Sequence, residues 1–198
     1  VLLCVAMYAA VLMSPAMPIV YGNDTVSETN MDTYIMLQSG NLPGYYVRDM
    51  GGGSKPDFDT IKLVDNAQND NCTKWKIVRG LSAAGSDEED YVSFESVNFH
   101  GYYLKQSDND SRKLSLAKLP ENASEEERAA FSRKATFLRE SGLVSKSDDE
   151  TYSFSLYGSE PKVYIRHANF TVYLDSVLNS EGHINEETGK DATFYLRE

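Results

Sequence analysis

Apolar residues in this chain come in short bursts rather than long stripes. From Tyr34 onward, runs such as Tyr45-Tyr46-Val47, Ile61-Lys62-Leu63-Val64 and Trp75-Lys76-Ile77-Val78 alternate with polar residues. Gly, Pro or Asn interrupts them about every 8–12 residues, the spacing of an all-β sandwich or barrel. A period of two places one side-chain set on each face of a strand. One stretch departs from this. Ser124-Glu125-Glu126-Glu127 is a capping box followed by Arg128-Ala129-Ala130-Phe131, which predicts one or two turns of helix within a loop. Gly51-Gly52-Gly53-Ser54 reads as a surface turn; no Lys-Ser/Thr pair and helix follow it, so it is not a phosphate loop.

The bursts repeat. Ser96-Val97-Asn98-Phe99-His100-Gly101-Tyr102-Tyr103-Leu104 aligns without a gap on Ser39-Gly40-Asn41-Leu42-Pro43-Gly44-Tyr45-Tyr46-Val47. A third copy begins at Tyr152-Ser153-Phe154-Ser155. A Tyr recurs at 46, 103 and 164, spacings of 57 and 61; a closing aromatic recurs at 75, 137 and 194, spacings of 62 and 57. Two markers with nearly one period indicate internal repeats. Three units of about four strands each predict an all-β fold, a β-trefoil with three pseudo-repeats at about 34–86, 91–145 and 151–198. Propeller blades would be shorter and more numerous, and solenoid repeats shorter still.

The third copy carries the most chemistry: Tyr164-Ile165-Arg166-His167-Ala168-Asn169-Phe170, closed by Asp191-Ala192-Thr193-Phe194. The second reads Tyr103-Leu104-Lys105-Gln106 and Lys134-Ala135-Thr136-Phe137, and the first Tyr46-Val47-Arg48-Asp49 and Cys72-Thr73-Lys74-Trp75. These segments, with Ser93-Phe94-Glu95-Ser96, resemble the arabinose-binding (AbfB) domain of α-L-arabinofuranosidase B, over about residues 34–198. The resemblance implies a carbohydrate-binding β-trefoil with one shallow arabinofuranose pocket per unit. In that family the His after the Arg and the Asp opening the Asp-Ala-Thr-Phe box bind sugar hydroxyls. Carried over, His167 and Asp191 form an intact pocket in the third unit. The second has Gln106 and Lys134 there, and the first Asp49 and Cys72, which implies two degenerate pockets.

The chemistry is reasonable on its own terms. A carboxylate accepts from two hydroxyls and an imidazole supplies a donor or an acceptor. Tyr164 and Tyr173 are candidates for the aromatic wall against the C–H face of the ring. The structural alternatives are a turn role for His167, a cap for Asp191 and core packing for the aromatics. Gln106 retains hydrogen-bonding capacity; Lys134 cannot act as an acceptor and Cys72 is a poor one.

Charge and composition narrow the ligand. With a net charge of −11 and pI near 4.7, the chain lacks the basic face that nucleic acid requires. His100, His167 and His183 have no metal-ligand spacing, and no cofactor is expected. Residues 1–22 are uncharged and read as a secretory signal, with 23–33 a flexible lead-in. Pro15 and Pro18 interrupt the apolar run short of the ~20 residues a membrane span needs. Sequons at Asn23, Asn71, Asn109, Asn122 and Asn169 fit a secreted glycoprotein; Asn169 reads as a turn residue whose sequon, inside the repeat core, is expected to go unused. Cys4 falls in the signal, so Cys72 is expected to be a lone, buried thiol. The leading expectation is a secreted, non-catalytic module for an arabinofuranose-containing glycan or related sugar. The alternatives are an extracellular trefoil with a protein partner, and part of an α-L-arabinofuranosidase. The acidic residues lie in polar loops such as Ser86-Asp87-Glu88-Glu89-Asp90 rather than in a recognisable hydrolase pair.

Overall fold

A computed structural model describes residues 34–51, 60–65, 67–82, 90–144 and 150–198. The signal and lead-in expected over 1–33, most of the glycine loop after Gly51 and most of the acidic loop before Asp90 lie outside those residues. Each unit contributes four short strands. The first unit has β1 (Met36–Ser39), β2 (Tyr46–Asp49), β3 (Ile61–Val64) and β4 (Trp75–Arg79). The second has β5 (Tyr91–Ser96), β6 (Tyr102–Gln106), β7 (Leu114–Lys118) and β8 (Phe137–Ser141). The third has β9 (Tyr152–Leu156), β10 (Tyr164–Ala168), β11 (Thr171–Asp175) and β12 (Phe194–Arg197).

The first and fourth strands of the units close a barrel. Antiparallel pairs run β1–β12, β12–β9, β9–β8, β8–β5 and β5–β4. The ring shuts where Ile35 and Trp75 exchange two backbone hydrogen bonds of 2.8 Å each. Closure leaves the barrel without an open edge to template aggregation. The second and third strands form a hairpin per unit, all in one register: Val47 faces Leu63, Leu104 faces Leu116 and Ile165 faces Leu174. This is the expected β-trefoil.

The core follows the repeat. Leu37, Phe94 and Phe154 from the first strands meet Trp75, Phe137 and Phe194 from the fourth, all fully buried. Phe94 packs edge-on against Phe154 with centroids 5.0 Å apart. Each buried side chain of this size contributes about 1.5–3 kcal/mol of transfer free energy.

Each unit also carries a helical piece just before its fourth strand. The first has a 3₁₀ turn at Asn71–Thr73, the second α1 (Glu125–Lys134) and the third α2 (Glu186–Asp191). Both halves of the Ser124–Glu127 capping box are formed, but α1 is ten residues long, longer than the one or two turns expected. Phe131 gives it a reason to continue: it is 9% exposed and meets Tyr103 edge-on at 6.4 Å. The sequence reading did not anticipate α2. Asn185 caps it by accepting from the amides of Glu187 and Thr188. Gly189 within it is required by packing, because a Cβ there would lie 2.8 Å from Val144 Cγ2.

Candidate functional site

The common hairpin register makes Asp49, Gln106 and His167 equivalent. They face Ile61, Leu114 and Val172 respectively. Their partners Cys72, Lys134 and Asp191 each stand three residues before the closing aromatic of their unit; Lys134 and Asp191 end a helix there, and Cys72 is the middle residue of its 3₁₀ turn. A third element comes from the next unit in the ring. Ser39, Ser96 and Leu156 are equivalent because they face Phe194, Trp75 and Phe137. Two residues beyond them stand Asn41, Asn98 and Gly158. Three loci therefore share one plan: a hairpin residue, a residue of the helical piece before the closing strand and a turn residue borrowed from the neighbouring unit.

In the third unit, His167 is 3% exposed, and its Nε2 lies 2.9 Å from both Ser39 Oγ and Asn41 Oδ1. Asn41 Oδ1 can only accept, which assigns the imidazole proton to Nε2. Asn41 Nδ2 then donates to Asp191 Oδ1 at 2.7 Å, and His167 Nε2 is 3.9 Å from that same oxygen. The exposed Asn41 amide thus accepts from the imidazole and donates to the carboxylate, the pair of roles a sugar hydroxyl plays. Burial is the main force lowering the pKa of His167, the Arg166 guanidinium adds to it, and Asp191 opposes it. The ring is therefore neutral at pH 7. Arg166 Nη2 lies 3.4 Å from Asp191 Oδ2 and so orients the carboxylate from behind.

The two predicted tyrosines are placed differently. Tyr164 is buried with Val177 and Ala192, so protein covers its ring. Tyr173 is half-buried, with the guanidiniums of Arg166 and Arg112 at 5.4 and 5.6 Å from its ring centre. The sequence reading missed an aromatic pair carried by the same two segments, the half-buried Tyr45 and the exposed Phe170. Tyr45 follows Asn41 in the same turn, and Phe170 tips the same hairpin as His167; their centroids are 5.2 Å apart. Asn169 and Phe170 both have positive φ, 48° and 63°, forming the tight turn between Ala168 and Thr171. Asn169 is therefore a turn residue, as expected, and it is exposed at a hairpin tip rather than enclosed within the repeat core. A neighbouring cavity of about 320 Å³ touches this locus only through Asn41; Lys190, Thr193 and Tyr195 form other parts of its wall.

The first-unit locus is buried. Asp49 is fully inaccessible; its Oδ1 accepts from Gly51 N at 3.1 Å, while Oδ2 has no hydrogen-bond partner among the described residues. Burial is the chief cause raising its carboxyl to about 6. Cys72 is a buried free thiol that accepts from Asn98 Nδ2 at 3.3 Å, and burial pushes its pKa to about 11. Asp49 has a testable consequence. Between pH ~3.8 and ~6 the native state holds a proton that the unfolded state has released, so stability falls as pH rises through that window and stays lower above it. Asp49→Asn is expected to stabilise the fold by about 1–3 kcal/mol at pH 7 and to change it little at pH 4. Thermal unfolding followed by circular dichroism at the two pH values checks this; an equal gain at both would refute it.

The second-unit locus is open. A cleft of about 500 Å³ is bordered by Gln106, Lys134 and Gly158 together with Arg112, Arg133 and Tyr157. Lys134 Nζ is 2.7 Å from Asp108 Oδ1, and the buried Lys105 reaches the other oxygen at 2.8 Å.

Residues 35–196 match the family model for the alpha-L-arabinofuranosidase B (ABFB) domain. No curated protein sequence matches. Among solved structures, an arabinofuranosidase complexed with arabinofuranosyl-alpha-1,2-xylobiose is similar at 21% identity and TM-score 0.58. A GH54 α-L-arabinofuranosidase soaked with a cyclic sulfate inhibitor follows at 19% identity and TM-score 0.57. In both cases 83% of this chain aligns with 30% of the other, so this chain spans under a third of those enzymes. A designed threefold-symmetric protein, ThreeFoil, aligns over 83% of this chain and 98% of its own at 11% identity and TM-score 0.54. At these identities the structural likeness concerns the fold.

Proposed function

The chain belongs to the alpha-L-arabinofuranosidase B (ABFB) domain family, and from that premise we propose that this carbohydrate-binding module holds an arabinofuranosyl residue of a glycan at its third unit. One observation carries the reading: a single amide spans the gap between His167 Nε2 and Asp191 Oδ1, bonding to each as a hydroxyl would. An arriving sugar hydroxyl displaces the exposed Asn41 side chain and inherits both bonds. Tyr45 and Phe170 supply the apolar face against the C–H side of the ring. The first-unit locus is sealed and takes no part.

The module binds and does not cleave. The third-unit locus offers one carboxyl and one neutral imidazole, whereas most glycoside hydrolases use two carboxyls about 5–10 Å apart. The setting we propose is extracellular. The apolar stretch over residues 1–22 supports this, as do sequon asparagines 71, 109, 122 and 169, all exposed.

Titration with methyl α-L-arabinofuranoside tests the reading. A Kd near 1 mM, about −4 kcal/mol, is expected, with methyl α-L-arabinopyranoside at least tenfold weaker and no release of nitrophenol from 4-nitrophenyl α-L-arabinofuranoside. Equal affinity for the two ring forms would refute it.

A further inference from the structure

The second-unit cleft is built from the same three positions as the third-unit site, but each has changed in a consistent direction. The turn that covers His167 with Ser39 and Asn41 becomes Leu156 and Gly158 here. The turns are superimposable in their bonding: Gly40 N donates to Thr193 O at 2.8 Å, and Tyr157 N donates to Thr136 O at 3.0 Å. Gly158 therefore stands where Asn41 fills the third-unit gap. It has φ +65°, and a Cβ added to it would meet nothing within 4 Å. The missing side chain leaves the space open.

The electrostatics are inverted as well. Lys134 replaces the carboxyl of Asp191 at the helix end, and Arg133 lies exposed on the same rim. Glu160 and Asp175 also border the cleft, but Asp175 is engaged by Arg112 at 2.8 Å. The ammonium of Lys134 is held by Asp108, an exposed carboxylate that water or a ligand can replace at little cost. Gln106 keeps an amide at the position of the imidazole, donating to Ser111 O at 2.8 Å and leaving its oxygen to accept. Tyr157 presents a half-buried ring on the wall, fixed edge-on against Tyr91 at 5.1 Å. In a chain of net charge −11, a cationic rim beside an amide and a tyrosine is a specific arrangement.

We propose that this cleft is a second sugar site, and that its ligand is a hexuronosyl residue whose carboxylate meets Lys134 and Arg133 while Gln106 bonds a ring hydroxyl. The proposal shares with the third-unit reading only the premise that this fold presents sugar sites, and the two fail separately. The probes are methyl β-D-glucuronoside and methyl β-D-glucoside, titrated at low salt into the ¹⁵N-labelled full chain. The glucuronoside is expected to bind with a Kd in the millimolar range and to shift the amides of Gln106, Lys134 and Gly158. The glucoside should bind at least tenfold more weakly. Lys134→Met should weaken the glucuronoside at least tenfold and Lys134→Arg within threefold. Gly158→Asn, which tolerates positive φ, should refill the gap and also weaken it. Asp191→Ala should leave glucuronoside binding unchanged. Equal affinity for the two glycosides, or an unchanged affinity in Lys134→Met, overturns the proposal. So does acetate or inorganic phosphate binding as tightly as the glucuronoside, since that would mean a generic anion site.

Discussion

Asp191→Ala is expected to weaken methyl α-L-arabinofuranoside by roughly 10–100-fold, the 1.5–3 kcal/mol of a hydrogen bond to a charged group. In a millimolar site that places binding below detection by calorimetry. The loss comes from one acceptor. Asp191 is the carboxyl that Asn41 Nδ2 addresses at 2.7 Å, and Arg166 aims it. The substitution also removes a partner from Arg166, which is 8% exposed and already has its Nε unpartnered among the described residues. A stability loss of about 1 kcal/mol should accompany it. Asp191→Asn separates the two effects: it keeps the shape and an acceptor oxygen but not the charge, so binding should fall by an intermediate factor. Full arabinofuranoside affinity in Asp191→Ala would remove the third unit from the account.

Trp75→Ala should cost the most stability, about 3–5 kcal/mol. Trp75 is fully buried, its backbone closes the barrel against Ile35, and its indole Nε1 donates to Val47 O at 3.2 Å. A domain holding about 5–15 kcal/mol in total would lose a large share of it. Trp75→Phe should cost far less, about 1–2 kcal/mol, because Phe137 and Phe194 occupy the equivalent positions in the other units. As Trp75 is the single tryptophan of the chain, urea unfolding must be followed by far-ultraviolet circular dichroism. A loss under 1 kcal/mol for the alanine variant would show that the core does not depend on this indole.

The repeat was legible because it rests on local pattern. Once Tyr46, Tyr103 and Tyr164 are aligned, Asp49, Gln106 and His167 fall three residues on, and the hairpin registers agree. Cys72, Lys134 and Asp191 are placed in the same way, three residues before the closing aromatic. Side-chain direction was harder to read. Tyr164, Ile165, Arg166 and His167 are all under 9% exposed, so β10 shows no inside–outside alternation to reveal that Tyr164 points into protein. Ser39 and Asn41 were hidden for another reason. They reach His167 across 128 and 126 positions of sequence, and only the closed ring brings the first unit beside the third. Phe170 was obscured by the turn chemistry, since an aromatic with φ 63° is uncommon and draws no hairpin signal. The capping box of α1 was visible from Ser124; the cap of α2 at Asn185 has no Glu or Gln at its third position and a Gly within it, which weakens the sequence signal.

The most direct test observes the imidazole itself. Long-range ¹H–¹⁵N spectra of the three histidines, recorded while methyl α-L-arabinofuranoside is titrated in, carry their own controls, because the side chains of His100 and His183 are 89% and 77% exposed. The predicted result is a saturable shift of the His167 Nε2 resonance as the sugar hydroxyl replaces Asn41, with the other two rings unmoved. Saturation of the protein by the sugar while His167 stays still would contradict it.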